Sequence, residues 1–542
     1  MNRVSRLPMA GSVLLVLLLS VLMGFQVYGR LIAPAAPLNF DEAAHSLPGF
    51  YILRDVMHLD VRAFWGDTHI QTLWPPGFSY LQAPFLALLG RSDESARLFA
   101  YIMLVGTVLM SGLIARQIAP NLAPLALLFS ALLSLSAPGW LYVSSWAMQE
   151  TPVALVVFVV FWLYLRANQT QQLRGYVGTG VGLFFLFLTK YNYAAFAVAA
   201  VTGAEIASGW LTKHRFVTPI VHVFGLLVPF TLGLLFWFFG GTDIVPTATK
   251  WRDFRFFVTN EDSGYAFWSE QNLLFYVRVA ANWLMPHGLL VGLTAGLAGV
   301  AVAKVRHTGV LLLALFFSLG FVLATVHQLK AERYVAPLFP SLWLLAGLGT
   351  AFVIKALSAK ASVPAKWLEI GATGLALLLF AIVVLGQSLP RLQPVWAGES
   401  ADGLRAAAQQ IVRWQDPSRP VLIIGTFGEL SPPLFEWRLR PLPAYTGDQL
   451  HGEIQYDAPP GDGENLQRVA AWAHKNPGTQ ITVIRVDSGS ALFNTNDMRN
   501  KNAWRQELAE QFEMTHTQLG YRLSEQRSLP GGIKVSYYLP LD

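Results

Sequence analysis

The chain has 542 residues, of which 39 are Lys or Arg and 33 are Asp or Glu. Charged residues make up 13%, against roughly 25% in an ordinary soluble domain. Hydrophobic residues make up 54%, which is more than a soluble core needs and excludes a single large soluble enzyme. The net charge of +6 is scattered along the chain and not gathered on a basic face, which argues against disorder and nucleic-acid binding. Cysteine is absent, which excludes disulfides, thiolate zinc sites and a cysteine nucleophile.

The charge divides the chain into two domains. About one residue in ten is charged in residues 1–390, against about one in five in residues 391–542. We therefore predict a transmembrane domain over 1–390 and a soluble domain over 391–542.

The first of these domains holds apolar windows long enough for membrane helices, which need about 20 residues each. The windows free of Asp, Glu, Lys and Arg are 7–29, 98–115, 117–149, 151–165, 216–242, 279–303, 307–329, 334–354 and 370–390. A further pair, 175–189 and 191–204, is split by Lys190. Length alone allows this pair to be one long helix or two short ones.

The basic residues favour two helices, and hence eleven crossings. Every second connection then carries basic residues and no acid, namely Arg3, Arg6, Arg116, Arg166, Arg174, Lys213, Arg215, Lys304, Arg306, Lys355, Lys360 and Lys366. Cytoplasmic connections retain Lys and Arg. We therefore expect an inner-membrane protein with a cytoplasmic N-terminus and an extracytoplasmic tail. Residues 7–29 are expected to be an uncleaved first helix and not a signal peptide.

Two external loops are long. The first, residues 30–92, contains half-apolar stretches at 43–57 and 77–90, which indicate helices lying on the bilayer surface. The second, residues 243–278, brings three cations together with aromatic residues, namely Lys250, Arg252 and Arg255 with Trp251, Phe254, Tyr265 and Trp268. That combination is typical of sugar stacking or of contact with lipid headgroups, and we favour the headgroups.

The tail alternates helix and strand patterns and predicts a small α/β domain. The predicted helices are 401–414 and 464–475, and the predicted strands are Val421–Ile424, Ile481–Val486 and Lys534–Leu539. The Gly425-Thr426-Phe427-Gly428 segment is too short a pattern for a phosphate loop, so we expect a plain turn.

Two acidic residues follow the first crossing. Asn39 and Glu42 have the spacing of a capping box, which gives Asp41 and Glu42 a structural interpretation. The functional interpretation is that these carboxylates lie at the outer membrane face, where His45 stands one helical turn from Asp41. The pattern alone leaves both interpretations open.

Glu150 and Lys190 interrupt apolar segments at the same predicted face. Glu150 follows 33 residues without any charge, and acids at membrane depth are usually functional. A helix-start acid favoured by the helix dipole is the alternative. Lys190 could bind a phosphate or could extend to the interface.

The densest polar cluster between two crossings contains His327, Lys330, Glu332, Arg333 and Tyr334. Two cations and a tyrosine at the start of a helix suit an anionic group at headgroup level. A solvated surface network is the alternative, and we favour the anion site because the clusters fall on one face.

These motifs, in this order, resemble the GT-C superfamily of polyprenyl-phosphate-dependent glycosyltransferases, and more narrowly the protein mannosyltransferase and aminoarabinose transferase relatives. The matching parts are Phe40-Asp41-Glu42-Ala43, Trp74-Pro75-Pro76-Gly77, Glu150, Thr189-Lys190-Tyr191, and Glu332-Arg333-Tyr334 with Pro337 and Pro340. Trp74 departs from the pattern, because these relatives often have histidine before the proline pair.

The resemblance implies an enzyme that moves a sugar from a polyprenyl-phosphate donor to an extracytoplasmic glycan, lipid or protein. Asp41 would be the base, and Glu42 and His45 would orient the acceptor or tune Asp41. The donor phosphate would contact Lys190, Lys330, Arg333 and Tyr334, and the remaining substrate contacts would be Trp74, Glu150, Tyr191 and His327. No cofactor is expected, and a divalent metal is not supported. A transporter or lipid flippase is the alternative, although no inverted repeat is visible.

Overall fold

The computed structural model describes most of the chain. The described residues are 9–211, 217–259, 268–327, 330–360, 365–396, 398–414, 421–425, 430, 432–439, 464–475, 478–487, 490, 492 and 503–541.

The structure is mainly helical up to residue 392. Its helices are α1 (Met9–Val27), α2 (Phe40–His58), α3 (Val61–His69), α4 (Gly77–Leu89), α5 (Asp93–Ile118), α6 (Ala123–Ser136), α7 (Pro138–Val143), α8 (Glu150–Thr170), α9 (Leu173–Thr189), α10 (Tyr191–Leu211), α11 (Val217–Phe239), α12 (Thr247–Thr259), α13 (Glu270–Val279), α14 (Gly288–Lys304), α15 (Thr308–Val326), α16 (Phe339–Lys360), α17 (Ala365–Val383) and α18 (Leu389–Arg391). Short π-helical turns follow α1, α13 and α17, and a 3₁₀ helix (Glu332–Leu338) precedes α16.

Several of these helices can cross a membrane. Within the described residues, 7 helical segments are long and apolar enough, and a pair bent by 107° gives up to 8. The segments are Met9–Ile32, Asp93–Ile118, Glu150–Thr170, Thr218–Phe239, Thr308–Val326, Glu332–Lys360 and Trp367–Arg391, and the bent pair is Glu270–Leu284 with Gly288–Lys304. The chain is therefore a multi-pass membrane protein, while the count of eleven crossings stays a prediction.

The helix break at Lys190 agrees with the two-helix interpretation. Helix α9 ends at Thr189, Lys190 is extended with φ −164° and ψ 120°, and α10 begins at Tyr191. The amide of Lys190 still donates to the carbonyl of Leu186, which closes the last turn of α9. The side chain of Lys190 is thus displayed at a helix junction and not along a helix face.

The first long loop is more helical than the sequence indicates. The stretches predicted at 43–57 and 77–90 form α2 and α4, and α3 between them was not predicted. Asp60 caps α3 by accepting a hydrogen bond from the amide of Ala63.

Small residues allow close helix packing near the middle of the chain. A Cβ at Gly347 of α16 would approach the carbonyl oxygen of Ala126 of α6 to 2.5 Å. A Cβ at Gly309 of α15 would approach the side chain of Ile118 to 2.5 Å. Such contacts fix helices that carry few polar groups, because dispersion forces are the main attraction between helices in a bilayer.

The tail forms a four-stranded mixed sheet with the strand order β1-β2-β4-β3. The strands are β1 (Val421–Ile424), β2 (Gln480–Val486), β3 (Tyr521–Leu529) and β4 (Ile533–Pro540), and the helices are α19 (Gly398–Trp414), α20 (Pro432–Leu439), α21 (Glu464–Lys475) and α22 (Ala503–Thr515). β1 pairs with β2 in parallel, with Val421 opposite Gln480, and β4 runs antiparallel to both β2 and β3. The prediction of a small α/β domain is confirmed, although α20, α22 and β3 were missed.

Branched aliphatic and aromatic side chains build the core of this sheet. Buried residues of the strands and of α21 and α22 include Leu422, Val469, Ile481, Val483, Phe512 and Tyr538. Gly425 ends β1 with φ 82°, a conformation that favours glycine. Residues 426–428 of the predicted turn lie outside the described residues.

The chain divides into two compact units. One comprises residues 1–31 and 48–392, and the other comprises residues 32–47 and 393–542. The second unit therefore contains Asp41, Glu42 and His45 together with the tail. This grouping was not predicted from the sequence.

Candidate active site

Glu150 is the centre of a charged cluster in the helical unit. It is the first residue of α8, and its side chain has no solvent exposure. Its Oε1 accepts a hydrogen bond from Lys190 Nζ at 2.7 Å and lies 3.6 Å from Arg333 Nε. A buried carboxylate at a helix N-terminus is favoured by the helix dipole, but two cations at these distances dominate its environment.

Three separate parts of the chain supply this cluster. Glu150 begins α8, Lys190 lies between α9 and α10, and Arg333 lies on the 3₁₀ helix before α16. The cations are partly accessible, with side-chain exposures of 16% for Lys190 and 24% for Arg333. An anion can therefore reach the cations from outside while Glu150 remains buried behind them.

Aromatic rings surround the two cations. Lys190 Nζ lies 5.4 Å from the ring centroid of Tyr334 and 5.8 Å from that of Tyr193, and the Arg333 guanidinium carbon lies 5.6 Å from the Tyr334 ring. The hydroxyl of Tyr193, which is fully buried, donates to the backbone carbonyl of Tyr334. This bond links α10 to the 3₁₀ helix and thereby fixes Lys190 relative to Arg333.

The Trp74-Pro75-Pro76-Gly77 turn packs against the chain just before Lys190. A Cβ at Gly77 would lie 2.6 Å from the backbone of Leu188 and Thr189, so only glycine allows this approach. The hydroxyl of Tyr191 donates to the carbonyl of Thr72 at 2.9 Å. Trp74 is half-buried in this turn. The sequence motifs at 74–77 and 189–191 are thus neighbours in space.

Lys330 and His327 lie at the C-terminal end of α15. Lys330 Nζ donates to the carbonyls of Ala324 at 2.9 Å and Thr325 at 2.7 Å, where it caps the C-terminus of α15. Burial lowers the pKa of Lys330 to about 8. Two of its three donors therefore serve the helix end, a structural role that the sequence did not indicate. His327 is the residue that follows α15.

Lys250 is buried, so the headgroup contact predicted for this loop is wrong for Lys250, whereas Trp251 and Arg252 beside it are exposed. Its Nζ lies 2.9 Å from His69 Nδ1 and donates to the carbonyls of Trp237 at 2.9 Å and Gly240 at 2.6 Å. Burial, and then the charge of Lys250, lower the pKa of His69 to about 4. The neutral imidazole can accept a hydrogen bond from the ammonium of Lys250, and the pair ties α3 to the end of α11.

Thr72 supplies a second tie between the two long loops, because its hydroxyl donates to the carboxylate of Asp253 on α12. Neither His69 nor Thr72 was singled out from the sequence. The sequence feature that could have indicated a side chain packed at this point is the Gly240-Gly241 pair after an apolar run. A Cβ at Gly241 would lie 2.5 Å from the imidazole of His69.

A second buried polar cluster connects four helices. Glu205 of α10 accepts hydrogen bonds from the hydroxyl of Tyr164 at 3.0 Å and from the amide of Asn168 at 3.1 Å. Its other oxygen lies 2.7 Å from His222 Nδ1 and 3.3 Å from the hydroxyl of Tyr176. These polar groups satisfy one another inside the bundle, so the arrangement explains helix association without requiring a ligand.

The acidic residues after the first crossing form the predicted capping box. The Asn39 amide donates to Glu42 Oε2 at 3.1 Å, and the Glu42 amide donates to Asn39 Oδ1 at 2.9 Å. Glu42 and His45 are buried, whereas Asp41 is partly exposed. The capping interpretation therefore holds for Glu42, and Asp41 is the acid that the box does not use.

The geometry of the helical unit favours binding of an anion. Lys190 and Arg333 together outweigh Glu150 by one positive charge, and charge-assisted hydrogen bonds suit phosphate oxygens. Among the described residues, no group of three His, Asp or Glu side chains could hold a metal ion.

Comparisons with known proteins agree with this picture. Residues 74–237 match the family model described as dolichyl-phosphate-mannose-protein mannosyltransferase. The match begins at Trp74 and includes Glu150, Lys190 and Tyr191. No curated protein matches the sequence.

Two solved structures share the fold along most of the chain. ArnT from Cupriavidus metallidurans, bound to undecaprenyl phosphate, is 15% identical with a TM-score of 0.58, and the match covers 97% of this chain and 98% of ArnT. The oligosaccharyltransferase AglB from Archaeoglobus fulgidus, in complex with an inhibitory peptide and a dolichol-phosphate, is 13% identical with a TM-score of 0.50, and the match covers 92% and 72%. The predicted resemblance to protein mannosyltransferases is confirmed by the family model over residues 74–237, and the two structures show that the fold is shared.

Proposed function

We propose that this protein is an integral membrane glycosyltransferase that moves a sugar from a polyprenyl-phosphate donor to an acceptor outside the cytoplasm. The observation that carries the proposal is the Glu150–Lys190–Arg333 cluster. The matches to a mannosyltransferase family model and to structures holding polyprenyl phosphates support a membrane glycosyltransferase in general.

The chemistry explains why two cations are needed. When the acceptor attacks C1 of the sugar, the bond from C1 to the phosphate oxygen breaks, and its electron pair leaves with the polyprenyl phosphate. Negative charge therefore builds on the phosphate, where Lys190 and Arg333 would stabilise it. Glu150 holds both cations in place before the donor arrives, which lowers the cost of organising them during the reaction.

The acceptor hydroxyl or amine must lose a proton as its bond to C1 forms. Asp41 is the proposed base, because a partly exposed carboxylate outside the capping box can accept that proton. A single displacement of this kind inverts the anomeric carbon. Glu42, committed to the box, would hold the start of α2 and so orient Asp41.

Binding of a lipid phosphate tests the anion site directly. Purified protein in nanodiscs is titrated with undecaprenyl phosphate and, separately, with undecaprenol, which lacks the phosphate. We expect undecaprenyl phosphate to bind and undecaprenol not to bind. Arg333→Ala and Lys190→Ala should each weaken the affinity for undecaprenyl phosphate about tenfold or more, since each charged hydrogen bond contributes roughly 1.5–3 kcal/mol. Arg252→Ala is the matched control, because the Arg252 side chain is 75% exposed.

Turnover tests the reaction. Undecaprenyl-phosphate mannose and undecaprenyl-phosphate aminoarabinose are each supplied with a bacterial envelope fraction as the source of acceptor, and released undecaprenyl phosphate is measured. Release that depends on Asp41 supports the transferase. Movement of the intact donor across vesicles without sugar release would instead support a flippase and overturn the proposal.

A further inference from the structure

The segment before Asp41 has no regular secondary structure. Residues 33–39 lie between the π-helical turn after α1 and the start of α2, and none of them belongs to a helix or a strand. The Ala35 amide donates to the Ile32 carbonyl at 3.2 Å in a single turn. Nevertheless, Ala36 and Leu38 are buried. An irregular segment with buried side chains is held in part by the elements that pack against it.

Helix α19 of the tail contacts this segment. Arg405 Nη1 donates to the backbone carbonyl of Ala35 at 3.0 Å, while Nη2 donates to the carboxylate of Asp402 one turn earlier on the same helix. Asp402 thereby orients the guanidinium, whose planar fork presents its donors in fixed directions. Arg405 and Ala35 are 370 residues apart in the sequence but belong to the same compact unit.

One face of helix α19 is packed in the core of the tail domain. Its inner face contains Ala401, Leu404, Ala407, Ala408 and Ile411, which are all fully buried. Arg405 therefore extends from a rigid helix to a carbonyl only six residues before Asp41. The hydrogen bond from Arg405 therefore acts as a tether that restricts the movement of residues 33–39 relative to α19.

We propose that Arg405 is a positioning residue, through which the tail domain fixes the segment that carries Asp41. The inference rests on the proposed function, in which Asp41 is the base. It gives the tail a role in transfer: without the Arg405–Ala35 bond, the start of α2 shifts, and the Asp41 carboxylate spends less time where the acceptor proton is removed.

Hydrogen exchange tests the tether without reference to activity. In full-length protein in nanodiscs, Arg405→Ala should speed exchange of the backbone amides of residues 33–43. Arg413→Ala is the matched control, since Arg413 is exposed on the same helix. Equal exchange in the two variants overturns the inference, whether or not the protein transfers sugar.

Kinetics test the consequence. Arg405→Ala should lower kcat for undecaprenyl phosphate release by about 10- to 100-fold, the size expected for a misplacement of roughly 1 Å. Its affinity for undecaprenyl phosphate should stay unchanged, because Lys190 and Arg333 belong to the helical unit. Arg405→Lys, which keeps the positive charge and a group that can donate to the Ala35 carbonyl, should recover part of kcat.

The outcomes separate the two proposals. If Asp41→Asn abolishes turnover while Arg405→Ala retains the wild-type kcat, the positioning role is overturned and the transferase stands. If Arg405→Ala weakens undecaprenyl phosphate binding and lowers kcat alike, with Arg405→Lys no better, a folding defect replaces positioning. If wild-type protein transfers no sugar, the proposed function fails, and the faster exchange of residues 33–43 alone decides whether the tether exists.

Discussion

Removing the charge of Glu150 isolates its role as the counterion of two cations. Glu150→Gln keeps the shape and the length of the side chain but leaves Lys190 and Arg333 facing a neutral amide. At an effective dielectric constant of about 20, a unit charge about 4 Å away contributes roughly 4 kcal/mol. Breaking a buried pair by removing one partner typically costs about 3–5 kcal/mol. We expect the free energy of unfolding to fall by about that amount.

Glu94→Gln is the matched control for this change. Glu94 also lies in the first turn of a helix, α5, but it is exposed. Only its interaction with the helix dipole is lost, which contributes about 0.3–1 kcal/mol. Chemical denaturation of each variant in mixed micelles gives the two free-energy changes.

Adding undecaprenyl phosphate supplies the second half of the assay. A bound phosphate replaces the missing negative charge, so it should raise the melting temperature of Glu150→Gln more than that of the wild type. Glu150→Gln that unfolds like Glu94→Gln, and that responds to the ligand like the wild type, would refute the view that Glu150 holds the cations.

Three further predictions concern other parts of the site. Gly77→Ala should destabilise the protein by about 1–3 kcal/mol, because its Cβ would meet the backbone at the end of α9, whereas Gly66→Ala, which meets nothing within 4 Å, should be neutral or stabilising in a thermal melt. Since the pKa of His69 falls from 6.5 to about 4 on folding, the unfolded chain binds the extra proton, and up to about 3 kcal/mol of stability should be lost as the pH falls from 6.5 to 4. His69→Gln should show a shallower loss in the same titration. Asp41→Asn should lower kcat by at least about 100-fold without changing the affinity for undecaprenyl phosphate, and retained turnover would remove Asp41 as the base.

Sequence patterns predicted elements whose signals are local. The apolar windows indicated the membrane helices, and Lys190 marked the junction between α9 and α10 because a charge interrupts two apolar runs. The strand Val421–Ile424 was recognisable from its β-branched residues. In contrast, β3 has a solvent-exposed pattern with few apolar residues, so periodicity carried no signal for it.

Long-range pairs could not be predicted in the same way. A lysine in a sequence has the same appearance whether it binds a ligand, as proposed for Lys190, caps a helix, as Lys330 does, or joins two loops, as Lys250 does. What separates the three is the partner that folding brings to each ammonium group. Glu150 is more than 180 residues from Arg333, and no local pattern encodes that distance.

The structure gives Asp41 and Glu42 different surroundings, although the sequence does not distinguish them. Asn39 and Glu42 have capping-box spacing, and the box forms. A capping role for Glu42 and a catalytic role for Asp41 are therefore compatible, because adjacent residues at a helix start point in different directions. The box fixes the beginning of α2 from inside the segment, and Arg405 holds the same segment from α19. The proposed role of Asp41 as the base requires a stretch of chain that is constrained in this way.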